Sequence, residues 1–223
     1  MPVIWNADRN KIRADLKMQV KTEIEMWNGS RPLEFEAAFG SAKGDAGAQP
    51  GREPVWVDLG EAGRIGFAGR IDRMDLSAEG GLRVVDYKTG KMRSKSKAKA
   101  PLAAGRKMQL PVYMLAARSM FPAEWGRGAE ALYFHNTSAG GFSVEGAIDS
   151  VLFRELEEPF RAILRTAVSG ISSGLFFPTA ADKDAVCDSC AYIDICGPDI
   201  ERRTLRKIED KVRAAFDALK EIA

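Results

Sequence analysis

Residues 83–90 read RVVDYKTG, and the reading of the fold turns on them. Val84, Val85 and Tyr87 give the β-branched and aromatic composition of a strand, and the Thr-Gly pair after Lys88 supplies its stop. Side chains two apart on a strand project to the same side, so Asp86 and Lys88 share one face while Val85 and Tyr87 share the other. Two readings of the Asp-x-Lys pair stay open on this pattern alone. It is an ordinary ion pair contributing about 0–1 kcal/mol if exposed, or it is part of a hydrolytic centre.

The stretch just upstream supplies a second acid. Arg64 to Met74 is predicted as one strand, joined to Leu82–Tyr87 by the turn-rich SAEGG of residues 77–81, and this hairpin brings Asp72 near Asp86. Earlier short strands, LEFEAAF at 33–39 and VWVDL at 55–59, extend the series into an antiparallel meander, with residues 40–54 as a loop. Glu34 and Glu36 alternate onto one face of the first of these, and either could reach a metal or stay an exposed carboxylate. A hard divalent cation such as Mg²⁺ (or Mn²⁺) takes oxygen ligands, so two carboxylates and a backbone carbonyl suffice to anchor it. A lysine beside it orients water or stabilises developing negative charge.

Helical spacing frames these strands. Ile12, Leu16, Val20, Ile24 and Trp27 form an apolar stripe predicted to pack a first helix on the domain. KMQLPVYMLAARSM at 107–120 has helix composition if Pro111 falls in the first turn, and Gln109 and Tyr113 then share a face. AEALYFHNT at 129–137 reads as a strand. Leu152, Leu156, Phe160, Ile163, Leu164 and Val168 mark another helix, and Leu205, Ile208, Val212, Phe216 and Leu219 a last one. Between strand and helix, KMRSKSKAKAP carries Lys91, Arg93, Lys95, Lys97 and Lys99 with no acid, a basic loop able to track phosphates or simply to be solvated. Arg70 and Arg73 flank Asp72, as phosphate contacts or structural ion pairs.

At 223 residues with 45% hydrophobic and 29% charged residues, the composition is that of one soluble α/β domain with appendages. No apolar run is long enough to span a bilayer and no secretory leader is visible, so a cytoplasmic location is expected. The formal net charge of +2 is compatible with a nucleic-acid partner only through local clustering. Cys187, Cys190 and Cys196 lie within ten positions, a spacing of metal ligands rather than of a disulfide framework.

GRIDRMD (69–75), VVDYKTGK (84–91) and GRKMQLPVY (105–113), in this order, resemble the core signature of the RecB-like branch of the PD-(D/E)xK nucleases. The resemblance spans about Glu34 to Cys196. It implies a restriction-endonuclease-like α/β core, a central mixed sheet flanked by helices, over residues 1–180, with a cysteine-bearing extension at 181–223. It further implies that Asp72 and Asp86 bind metal, that Lys88 is the catalytic lysine, and that the Tyr87 carbonyl completes the metal shell, with Glu34 a further acid. Gln109 and Tyr113 match the family's Q-x-x-x-Y motif beside the catalytic centre. Read without the family, they are equally a surface pair with the tyrosine half-buried.

GLFFPT followed by Cys187, Cys190 and Cys196 resembles the C-terminal part of the four-cysteine [4Fe–4S] staple of AddB-type and CRISPR-associated exonucleases of this branch. The family's first cysteine, and its histidine on a helix before the first acid, have no counterpart here, which implies a chain corresponding to the C-terminal part of a larger nuclease domain. A cluster normally takes four thiolates, so the fourth ligand is not identified. A zinc site of the three cysteines and His135 competes, although His135 in LYFHN reads as a strand residue. The implied function is metal-dependent DNA hydrolysis, exonuclease-like, on single-stranded or unwound ends, as a recombination and repair module beside a helicase. A stand-alone CRISPR-associated exonuclease and a catalytically silent DNA-binding module are the alternatives.

Overall fold

The computed structural model describes residues 2–40, 52–91, 101–174 and 190–197, with single positions at 202, 206, 214 and 217. The elements in chain order are α1 (Pro2–Met26), β1 (Arg31–Phe39), β2 (Val55–Asp58), β3 (Arg64–Phe67), β4 (Gly69–Leu76), β5 (Leu82–Lys88), α2 (Gln109–Met120), α3 (Pro122–Trp125), β6 (Ala129–His135), β7 (Ser143–Asp149), α4 (Ser150–Ser172) and α5 (Ile193–Cys196). The strand quoted first is the middle of a five-stranded sheet of order β1-β4-β5-β6-β7. Its neighbours β4 and β6 run antiparallel and parallel to it, so the sheet is mixed. The crossover through α2 permits the parallel return, since a tight hairpin cannot make one. The mixed sheet is the one expected, and the antiparallel meander holds for β4–β5 but is corrected upstream, where β1 pairs directly with β4.

A second correction concerns residues 64–74. They form two strands in different sheets: β3 pairs with β2 in a two-stranded sheet, while β4 joins β1 and β5. The break falls at Ala68-Gly69, where a Cβ on Gly69 would come 3.0 Å from the Phe39 ring. A third concerns β7, which has no counterpart in the sequence reading. Its left-handed Gly146 (φ 67) and the bulge at Ala131/Tyr133 break the alternation that marks a strand.

The two faces of the sheet are unequal. On one, Met74, Val84 and Ala131 pack with Leu110, Met114 and Ala117 of α2 and Phe153, Phe160 and Ile163 of α4 in the main core. Pro111 falls in the first turn of α2, as its missing N–H requires. On the other face, Val85, Leu132 and Phe134 gather around Trp27 just past the end of α1, with Tyr87 packed against them.

Helix α1 is present, but its stripe is not the packed face. Ile12 is 53% exposed and Ile24 67%, with Leu16 and Val20 also exposed, and only Trp27 is buried. Polar side chains seat the helix instead. Asp15 accepts from the Ser138 amide at 3.1 Å, Gln19 from the Asn136 amide group at 3.3 Å, and Glu23 meets Arg73 and Tyr87. Spacing carries the helical period correctly and says nothing about which side faces the sheet.

Residues 92–100 lie outside the description, so of the basic loop only Lys91 is placed, and it is exposed, while Arg93, Lys95, Lys97 and Lys99 are not described. Cys187, the boundary at 180/181 and the stripe from Leu205 to Leu219 likewise lie outside the described residues. Among the described residues no helix is long and apolar enough to cross a membrane.

Candidate active site

Backbone pairing between β4 and β5 runs from Leu76↔Leu82 to Arg73↔Val85. One residue further, a side chain takes over: Asp72 Oδ2 accepts the Tyr87 backbone N–H at 2.8 Å. The two strands part here, and the carboxylate of Asp72 fills the position a ladder carbonyl would hold.

Asp86 and Lys88 lie on the α2 side of β5, as the alternation predicted. Asp86 is 3% exposed, and burial pushes its carboxyl above the ordinary range; Lys88 opposes that rise and the charge of Asp72 adds to it. Lys88 Nζ lies 2.5 Å from Asp86 Oδ2. This is an ion pair by distance, but Oδ2 has no partner in hydrogen-bonding geometry.

The first turn of α2 brings Gln109 over this pair. Its amide nitrogen donates to Asp86 Oδ1 at 2.6 Å and its amide oxygen accepts from Lys88 Nζ at 3.0 Å, the orientation the two charges dictate. The same nitrogen reaches the Tyr113 hydroxyl at 3.0 Å, and that hydroxyl donates to the Arg70 carbonyl at 2.7 Å. Tyr113 is 8% exposed, so the surface-pair reading of Gln109 and Tyr113 is set aside. Burial raises the Tyr113 phenol; the bond from Gln109 opposes this, and the charges of Asp86, Asp72 and Glu36 add to it.

Glu36, one of the two β1 acids weighed on the sequence, lies nearer this centre than Glu34. By register it stands across from Asp72 between the pairs Phe35↔Arg73 and Ala37↔Ile71, with a left-handed backbone (φ 50). Glu34 is not brought to the acids: Arg52 clamps both its oxygens at 2.7 Å. Arg70 lies 3.7 Å from Glu36, with both side chains largely exposed.

Arg73 points to the other face of the sheet. Its guanidinium meets Glu23 at 2.5 Å, Asp75 at 2.7 Å and the Tyr87 hydroxyl at 3.1 Å, and that hydroxyl donates to Glu23 at 3.0 Å. Burial opposes the Arg73 charge, but Asp75 and Tyr87 more than reverse that, leaving the guanidinium above its ordinary value. Arg73 is therefore structural, the second of the two readings given for it. Nothing in spacing announced this cluster, because its members come from α1, β4 and β5.

His135 is 5% exposed, with Nδ1 3.2 Å from the Gly90 carbonyl and Nε2 3.0 Å from Glu145. Both ring nitrogens are engaged, in keeping with the strand-residue reading of His135. Cys190 and Cys196 are free thiols, and the Tyr192 amide lies 3.4 Å from Cys190 Sγ.

The residues fit a hard divalent cation. Burial raises the Asp86 carboxyl and the charge of Asp72 adds to this, with Lys88 only partly opposing it, so the two hard carboxylates carry a cost that a cation would offset. Among the described residues no three His, Cys, Asp or Glu side chains form a closed cage. Two carboxylates suit Mg²⁺, which keeps several of its waters.

A family model described as the PD-(D/E)XK nuclease superfamily matches residues 5–197. A protein of Moorella thermoacetica named as a subunit of an ATP-dependent helicase/deoxyribonuclease is 34% identical over 137 residues, 56% of this chain and 11% of that protein. The protein of the same name from Ruminiclostridium cellulolyticum is 40% identical over 86 residues, 37% of this chain and 7% of its own length. This chain thus aligns with about a tenth or less of these relatives. The match across most of the sequence, on a five-stranded mixed sheet flanked by helices, means that the chain belongs to the PD-(D/E)XK nuclease superfamily.

Proposed function

We propose that this chain is a metal-dependent deoxyribonuclease module whose centre is Asp72, Asp86 and Lys88. The observation that carries this reading is the buried Asp86 carboxylate held between Lys88 at 2.5 Å and the charge of Asp72. Asp72, Asp86 and the Tyr87 carbonyl would hold a divalent cation, Mg²⁺ or Mn²⁺. When bound, it supplies Lewis-acid polarisation of a phosphodiester oxygen and an acidified water.

The chain's own residues do the rest. Lys88 places a cation where negative charge develops on the phosphate, with three N–H donors to orient water. Gln109 holds Lys88 and Asp86 at a fixed separation, so neither must reorganise during reaction. Tyr113 anchors Gln109 to the start of β4. Lys91, followed in sequence by Arg93, Lys95, Lys97 and Lys99, offers cations to the phosphates of a bound strand, a sequence-independent and salt-sensitive contact. Glu36 is the β1 acid available to the outer shell, in place of Glu34.

The relatives' names support a helicase-associated deoxyribonuclease role; recombination or repair as its setting, and exonuclease-like cutting of unwound or single-stranded ends, belong to the proposal through the motif resemblance. The cysteines support a thiolate-held [4Fe–4S] cluster only in part: Cys190 and Cys196 are two donors and Cys187 a third, against the four such a cluster takes.

The test is cleavage of end-labelled single- and double-stranded DNA with Mg²⁺ or Mn²⁺, comparing the unmodified chain with Lys88→Ala. Metal-dependent cutting abolished by the substitution supports the reading. A protein that binds DNA and never cuts it with any divalent metal is instead a silent binding module.

A further inference from the structure

We propose that Tyr133 is a positioning residue of this site, its ring supporting the Lys88 ammonium. The inference rests on the nuclease reading above. Three independent contacts meet on this side chain.

The first is with the lysine. Lys88 Nζ lies 4.9 Å from the Tyr133 ring centroid, within the range where an ammonium is attracted by an aromatic face. Lys88 therefore has Asp86 on one side, Gln109 on another and a π surface on a third. A flexible four-carbon chain confined this way loses its freedom before substrate arrives rather than during the reaction.

The second is with Asp86: Tyr133 stands beside it across the parallel β5–β6 register, so the ring lies on the face of the sheet that carries both Asp86 and Lys88.

The third is the space made for the ring. In β7, opposite Tyr133, the register slips between Ala131 and Tyr133, and Gly146 adopts a left-handed backbone (φ 67). A Cβ on Gly146 would lie 3.3 Å from the Tyr133 ring. Bulges re-aim side chains beside active sites, and here the glycine and the bulge leave the ring its place under the lysine.

The test compares Tyr133→Leu and Tyr133→Phe in the intact chain. Proton NMR reads the Lys88 ε-methylene signals, which the ring shifts upfield. In Tyr133→Leu they return toward the ordinary lysine position, and in Tyr133→Phe they stay. In Mg²⁺-dependent cleavage, kcat falls about ten-fold in Tyr133→Leu, as expected for losing a partly desolvated cation–π contact. KM for DNA and Mg²⁺ affinity hold, and Tyr133→Phe retains most of kcat.

Tyr133→Met, which fills similar volume without a π face, replaces the leucine variant if that one does not fold. Unchanged lysine signals with unchanged kcat overturn the proposal. So does a loss in Tyr133→Phe as large as in Tyr133→Leu. If the unmodified chain cuts nothing, the nuclease reading fails, while the lysine signals still decide whether Tyr133 supports Lys88.

Discussion

Asp72 reaches across the gap between two parting strands and takes the backbone N–H of Tyr87 at 2.8 Å. The carboxylate has two duties, a hydrogen bond to the backbone and a negative charge at the centre, and substitution separates them. Asp72→Asn retains an oxygen for the Tyr87 amide and loses the charge. It is expected to fold within about 1 kcal/mol of the unmodified chain and to cut no DNA, whereas Asp72→Ala loses both. Thermal unfolding beside a cleavage assay distinguishes the two.

Asp86→Asn removes a buried charge whose neighbour Asp72 opposes it. The metal-free variant is expected to unfold a few degrees higher than the unmodified chain, since a gain of about 1 kcal/mol moves the midpoint by roughly 2–4 °C at this size. Added Mg²⁺ should raise the midpoint of the unmodified chain and leave the variant's unmoved. Calorimetric scans with and without the metal read both effects.

Arg73→Ala leaves Glu23 and the fully buried Asp75 without their cation. Removing one member of a buried charge network costs about 3–5 kcal/mol, enough to unfold much of a marginally stable domain. Urea unfolding should show a large drop in midpoint. Lys21→Ala, which breaks an exposed ion pair with Glu25, should change stability by less than about 0.5 kcal/mol.

Alkaline pH should destabilise the fold through its tyrosines. Burial pushes the phenols of Tyr87 and Tyr133 up to about 12, from an ordinary value of 10. An acid held protonated by the fold contributes stability that is fully present below its unfolded value. That contribution is lost as pH rises through the folded one, so the decline falls between about pH 10 and pH 12. Absorbance titration near 295 nm should show late-ionising tyrosine, and Tyr87→Phe should remove part of it.

Much of the site was legible because strand alternation is a strict rule. Asp86 and Lys88 on one face and Val85 and Tyr87 on the other follow from a period of two, and Gln109 and Tyr113 on one face follow from a helical turn. What spacing cannot carry is pairing. It did not separate β3 from β4, which pair with different strands in different sheets, and it could not put Tyr133 beside Asp86, because a parallel neighbour across a helix has no local signature. Helix α1 failed for a related reason. Its apolar residues are periodic, but Glu23 is drawn to buried Arg73, and that attraction decides which side is covered.

Tyr87 belongs to both faces of the sheet. Its hydroxyl lies in the Glu23–Arg73 cluster under α1, while its amide holds Asp72 on the side of Asp86 and Lys88. A single residue is thus a rivet through the sheet, and the two layers it joins cannot shift independently. Loosening α1 at Glu23 would slacken the proposed metal site from behind, without any change to a residue proposed to hold the ion.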